Sequence, residues 1–199
     1  YLLVKGSLSP SWVDSYLYHA QTIQWYNTYP IVKGLTNLFC SFGINSNFHL
    51  FASLYSGEFL NLILPGVTTI FFMFLFLVFV IRRAARNVYL YVVFLWFLVA
   101  FWNWESSPSP DVLAVILVLI VGVLFIQPQK STFDKLVMLF CCLLAMTIKQ
   151  SVFFLFFLIP FLLDKQLLTD KKMILLFGIG GVGLLIWLGR NLILSGHLL

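Results

Sequence analysis

The sequence predicts an all-α, polytopic membrane protein, and three observations carry that expectation. Of its 199 residues 61% are apolar or aromatic and 10% are charged, mean hydropathy is +1.00, and the apolar residues are gathered into runs of bilayer length. A soluble domain carries roughly 45–50% apolar and about 25% charged residues. A soluble enzyme is therefore excluded, because there is too little polar surface to cover it. Twenty-two Phe, eight Tyr and six Trp suit a lipid-facing bundle with aromatic belts. The net charge of +5 has no soluble basic face to sit on, so no nucleic-acid partner is expected and the basic excess is read as orientation. Cys40, Cys141 and Cys142 offer neither a disulfide framework nor metal spacing, and the last two read as small apolar fillers.

The elements follow in order. The chain opens at Tyr1 without a charged region ahead of a short apolar core, so no signal peptide is read, and a fragment is expected whose residues 1–4 end an upstream helix. Residues 5–58 are expected on the outer side, carrying two amphipathic helices that lie in the interface plane. In 14–28, Leu17, Ala20, Ile23 and Tyr26 recur every three residues, Asp14 is a natural N-cap, and Tyr29-Pro30 stops the helix. The second helix, 46–56, carries Phe48, Leu50, Phe51 and Leu54.

A spanning helix needs about 20 apolar residues. The runs at 59–81, 87–104, 112–129 and 173–189 meet that need, the first closed by Arg82, Arg83 and Arg86 and the last by Arg190. Residues 136–163 would make a single helix of about 42 Å, against a hydrocarbon core of about 30 Å, so two short helices meeting at 147–151 are expected. Positive charge supports the division. With two helices, Arg82, Arg83, Arg86, Lys130, Lys135, Lys165, Lys171 and Lys172 face the cytoplasm, and Lys5, Lys33, Lys149 and Arg190 lie outside. With one, the asymmetry nearly vanishes and Lys149 is stranded in mid-membrane. The expectation is about six spans in one membrane domain over 1–199, comprising the outer segment 5–58 and a transmembrane bundle 59–199.

Four charged groups fall at the outer ends of different segments: Asp14, Asp111, Lys149 and Arg190, with Glu58 and Glu105 nearby. Each has a plain structural reading. Asp14 caps a helix, Asp111 begins one after Ser106-Ser107-Pro108-Ser109-Pro110 and complements its dipole, and Arg190 anchors at the interface. Lys149 fits such a reading least, because it interrupts an apolar run and ionisable groups at membrane depth are usually functional. His19, His49 and His197 have no metal-ligand spacing and read as surface or packing residues. Together, two carboxylates and two cations suit a polyprenyl-phosphate sugar. Cations stabilise the charge that builds on phosphate as the glycosidic bond breaks, and a carboxylate takes the proton of an attacking hydroxyl. Spacing alone leaves ion transport equally open.

The motifs add a resemblance. Asp14-Ser15-Tyr16-Leu17-Tyr18-His19, Gly34-Leu35-Thr36-Asn37-Leu38 and Gly43-Ile44-Asn45-Ser46 resemble the first outer loop of a group of bacterial multi-pass proteins allied to the GT-C membrane glycosyltransferases, which include aminoarabinose transferases and protein mannosyltransferases. Ser107-Pro108-Ser109-Pro110-Asp111, Thr147-Ile148-Lys149 and Arg190-Asn191-Leu192-Ile193-Leu194-Ser195-Gly196 are similar to its later motifs, in the same order. The chain departs from the pattern at Lys33, where relatives tend to have Pro, and at Cys40-Ser41, where they tend to have His-Gly. The resemblance implies a GT-C-like fold, of which this chain is the N-terminal part, and an inverting transferase in a bacterial inner membrane with its active site facing the exterior. It further implies Asp14 as general base, with Tyr18 and His19 supporting it, and Asp111 orienting the acceptor. A divalent cation held by Asp14 and Asp111 is a further possibility it leaves open. Lys149 and Arg190 would bind the donor phosphate, and the partners would be membrane lipids, a polyprenyl-phosphate sugar and a glycan, lipid or protein acceptor. A flippase for a lipid-linked saccharide and a catalytically inactive relative are the competing classes.

Overall fold

The computed structural model describes residues 8–10, 12–55, 66–84, 89–102, 106–127, 129–163 and 171–197, with Val4, Trp104 and Thr169 besides. Lys5, Glu58, Arg86, Glu105 and Lys165, and parts of the runs expected at 59–81 and 87–104, lie outside the described residues. A π-helical turn, Ser15–His19, leads into α1 (Ala20–Thr28). Two 3₁₀ turns, Leu35–Asn37 and Cys40–Gly43, precede α2 (Asn47–Ser53). Then come α3 (Val67–Ala84), α4 (Tyr89–Ala100), α5 (Pro110–Ile126) and α6 (Thr132–Ile148). A 3₁₀ stretch, Gln150–Leu158, runs into α7 (Ile159–Leu162), and α8 (Lys171–Ser195) closes the series.

Local chemistry sets several of these boundaries. Pro30 drives the residue before it out of the helical region, and Tyr29 is accordingly extended at φ −128°, ψ 149°. Pro110 opens α5, where its fixed φ suits the helix and its missing N–H is not needed. α6 opens on a capping box: Ser131 Oγ accepts from the Asp134 N–H at 3.1 Å, and the Asp134 carboxylate accepts from the Ser131 N–H at 3.0 Å. It ends where Lys149 turns extended, at φ −151°, ψ 126°, which is the break the sequence places at 147–151.

The chain divides into two compact units. The first comprises Tyr1–Pro30 and Phe48–Ile116, the second Ile31–Asn47 and Leu117–Leu199. In the first, α3 buries Ile70, Met73, Phe76 and Val80 at helical spacing, and α4 buries Leu90, Phe94 and Phe97. Phe76 meets Phe97 edge-on with ring centroids 5.5 Å apart, a preferred aromatic arrangement. In the second, α6 buries Met138, Leu139, Cys141, Cys142, Ala145 and Met146, and α8 contributes Trp187 and Leu194.

The expectation of about six spans is corrected here. The chain is all-helical among the described residues, but one helix there is long and apolar enough to cross a membrane, Ile174–Ser195 within α8. Its 22 residues make about 33 Å at 1.5 Å per residue. The other apolar runs form shorter pieces: Tyr89–Ala100, Pro110–Ile126 and Gln150–Leu162. The physical reason is that a hydropathy run counts apolar residues straight through a turn. The run expected at 87–104 stops being helical at Ala100, after which Trp104 N–H donates to the Phe101 carbonyl at 2.9 Å. The 12 residues of α4 cover only about 18 Å. α8 also passes Gly189 and ends at Ser195, so Arg190 sits within the helix instead of closing it.

Candidate functional site

In the first unit the acidic residue of the first loop sits beside an inward-facing polar stripe. Asp14 is half-buried at the cap position of the π-turn, with helical backbone angles and no side-chain capping bond. The expected capping role is therefore not what the side chain does. The expected apolar stripe is rotated as well. Ser15, His19, Thr22 and Ile23 are buried at 0, 3, 0 and 6% exposure, whereas Leu17 is 49% exposed. The buried positions follow the four-, seven- and eight-residue spacing of one helix face counted from Ser15, and the turn that carries them closes from the Ala20 N–H to the Ser15 carbonyl, one residue wider than an α-turn.

Two side-chain bonds fix this stripe. Ser15 Oγ lies 2.6 Å from Ser107 Oγ, and Thr69 Oγ1 donates to the Ser107 carbonyl at 2.6 Å. His19 Nδ1 lies 2.8 Å from His49 Nε2, so one ring donates an N–H and the other accepts at a deprotonated nitrogen. Tyr18 packs on His19 with centroids 4.1 Å apart. Burial raises the Tyr18 phenol above its usual pKa, and the Asp14 charge raises it further. Ser107 belongs to the turn that leads to Asp111, which is half-buried in the first turn of α5 and donates its N–H to Ser109 Oγ at 3.2 Å. The segments of Asp14 and Asp111 are thus bonded to each other within one unit, 92 positions apart in sequence at Ser15 and Ser107. Trp12 on Trp104, with centroids 4.7 Å apart, is a second tie between the same segments.

In the second unit the loop motifs grip the two segments that carry cations. Gly34, left-handed at φ +70°, donates its N–H to the Ile193 carbonyl at 2.9 Å. Thr36 Oγ1 donates to the Leu194 carbonyl at 2.9 Å. A Cβ on Gly43 would collide with Thr36 Cγ2, so a larger residue fits there only if Thr36 gives way. Asn45 Nδ2 donates to the Trp187 carbonyl at 2.9 Å, and Trp187 Nε1 returns a bond to the Asn45 carbonyl at 2.6 Å. Ser46 Oγ donates to the Ile148 carbonyl at 2.7 Å. Two adjacent residues therefore join α8, one turn before Arg190, to the end of α6, one residue before Lys149. Arg190 is buried, 7% exposed, with Asn191 beside it at 5%, and so it is not the interface anchor of the plain reading. Lys149 is half-buried, and desolvation lowers its pKa.

Of the expected site residues, Asp14, Tyr18, His19 and Asp111 fall in the first unit, and Lys149 and Arg190 in the second. Among the described residues no three His, Cys, Asp or Glu side chains converge as a metal site. Sequence reading missed Ser15, Ser107, Thr69 and His49. The signal for Ser15 was the polar series Ser15, His19 and Thr22 at four- and three-residue spacing, which an apolar search passes over. Asn45 and Ser46 were read as motif letters, whereas their bonds make them structural ties.

The class these features define is an all-helical chain with a membrane-length helix, a bonded pair of acidic segments and a bonded pair of cationic ones. The family model described as "Domain of unknown function (DUF8201)" matches residues 1–199, and the chain belongs to that family. No curated protein and no solved structure matches it.

Proposed function

We propose that this chain works in a membrane-associated glycosyltransferase, which moves a sugar from a polyprenyl-phosphate donor to a hydroxyl of a glycan, lipid or protein at the outer face of a bacterial inner membrane. The observation that carries the reading is the Ser15–Ser107 bond of 2.6 Å, which gathers both carboxylate-bearing segments in one unit. The resemblance of the motifs, in order, to those of multi-pass proteins allied to the GT-C transferases, and the burial of Arg190 inside a membrane-length helix, support it.

In this reading the acceptor hydroxyl attacks the anomeric carbon and inverts it. The carbon–oxygen bond to phosphate breaks, the electron pair leaves on the phosphate, and Asp14 takes the hydroxyl proton. Asp111 orients the acceptor. Lys149 and Arg190 stabilise the charge that builds on the leaving phosphate. The test supplies polyprenyl-phosphate hexoses and pentoses in turn to membranes holding the full-length protein and measures release of polyprenyl phosphate. Asp14→Asn should lower turnover by about 10²–10⁴-fold with donor binding nearly unchanged. Lys149→Met should weaken donor binding and slow turnover together, because its charge faces phosphate before and during cleavage. Turnover at the parental rate in Asp14→Asn would overturn the mechanism.

A further inference from the structure

Helix α1 presents a second chemistry on its outward side. Gln21, Gln24, Trp25, Thr28 and Tyr29 line an open surface cavity of about 410 Å³. Gln21, Gln24, Trp25 and Thr28 recur at three- and four-residue spacing on one face of α1, and Tyr29 follows as its extended C-cap. None is charged, and Gln21, Gln24, Thr28 and Tyr29 are exposed.

We propose that this cavity binds a neutral saccharide. The Trp25 and Tyr29 rings are already in contact, with centroids 5.0 Å apart and planes tilted by 40°. A flat base cannot slip between them. The two rings bring aromatic surface to the lining, and aromatic surface suits the C–H face of a sugar ring. The polar groups match sugar hydroxyls in number and kind. Thr28 Oγ1 spends its single proton on the Gln24 carbonyl at 2.9 Å, so towards a ligand it accepts. Gln21 Nε2 donates to the Tyr16 carbonyl at 3.2 Å, and its amide oxygen is an acceptor. The Gln24 amide offers both a donor and an acceptor. Hydroxyls both give and take hydrogen bonds, and a cavity without charge discriminates against phosphorylated or carboxylated ligands, whose anionic groups would go unpaired. The inference deepens the transferase reading by naming a saccharide as the acceptor class, and only the word acceptor rests on that reading.

Saturation-transfer NMR on the full-length protein in lipid nanodiscs, with neutral trisaccharides of glucose, mannose and galactose, tests it, with uridine as the comparison ligand. At least one trisaccharide should receive saturation. Trp25→Ala should weaken it about tenfold, the loss of one stacked aromatic contact of about 1.4 kcal/mol. Trp25→Phe should retain most of the binding, and Gln24→Ala, an exposed position that folding does not need, should weaken it. Binding of uridine but no trisaccharide, no saturation at millimolar concentration, or equal binding by parent, Trp25→Ala and Gln24→Ala would each overturn the proposal. No donor is present, so its failure is distinct from that of the transfer reaction. A chain that binds trisaccharide through Trp25 yet releases no polyprenyl phosphate keeps this inference and loses the other.

Discussion

The two units hold their key segments by different kinds of bond. In the first, polar side chains bond to each other, Ser15 to Ser107 and His19 to His49, and Thr69 adds one bond to the Ser107 carbonyl. In the second, side chains bond to main chain: Thr36 to Leu194, Asn45 to Trp187 and Ser46 to Ile148. A side-chain pair needs two particular residues and can be retuned by changing either. A bond to a carbonyl needs one, and it fixes the position of a backbone whatever residue that backbone carries. The difference teaches where to look for chemistry. The second unit sets a geometry, and the first places adaptable, protonatable groups around a half-buried carboxylate.

The sharpest way to break this comparison is Gly43→Ala. The new methyl would collide with Thr36 Cγ2, and overpacking of this kind costs about 1–3 kcal/mol. Unfolding of the purified protein should show that loss. Adding Thr36→Ser, which deletes the offending methyl but keeps the hydroxyl for Leu194, should recover most of it. Turnover per folded molecule should change little. Parental stability in Gly43→Ala would mean the loop is not seated as described.

A smaller effect is expected in the first unit. Ser15→Ala and Ser107→Ala each strand a buried hydroxyl, while the double change removes both partners. The double-mutant cycle should give a coupling of about 0.5–1.5 kcal/mol. In the proposed transferase reading, turnover per folded molecule should fall in each single variant, because the segments of Asp14 and Asp111 lose one of their ties. A coupling of zero would place the two hydroxyls out of contact.

The smallest effect is a response to base, and it has opposite signs in the two units. Tyr18 has its pKa raised from 10.0 by burial and then by Asp14. Above pH 10.0 the unfolded chain releases this proton while the folded chain still holds it, so the Tyr18 contribution is lost as pH climbs through the raised value. Lys149 has its pKa lowered from 10.5 by burial. Between that lowered value and 10.5 the unfolded chain binds a proton that the folded chain does not, so stability rises with pH. Lys149→Met should abolish the rise. Asp14→Asn should move the Tyr18 phenolate absorbance transition towards 10.0 without reaching it, since burial is the larger cause. A transition that does not move would separate the two side chains.

The sequence by itself determined the helical class, the stop at Tyr29-Pro30, the start of α5 beside Asp111, the break at Lys149 and the identity of the charged groups that stand out. Each of these follows from local chemistry: a locked φ, a missing N–H, or a charge in an apolar run. Tertiary structure decided the rest. The length of each helix, and hence the number able to cross a membrane, depended on turns that hydropathy does not register. Which face of residues 15–23 points inward depended on distant partners, Ser107 for Ser15 and His49 for His19, which leave Leu17 outside. The roles of Gly43, Asn45, Ser46 and Ser107 depended on partners far away in the chain, Asn45 and Trp187 being 142 positions apart. A residue's type limits which bonds it can make, but only the folded chain brings the distant donor and acceptor within reach of each other.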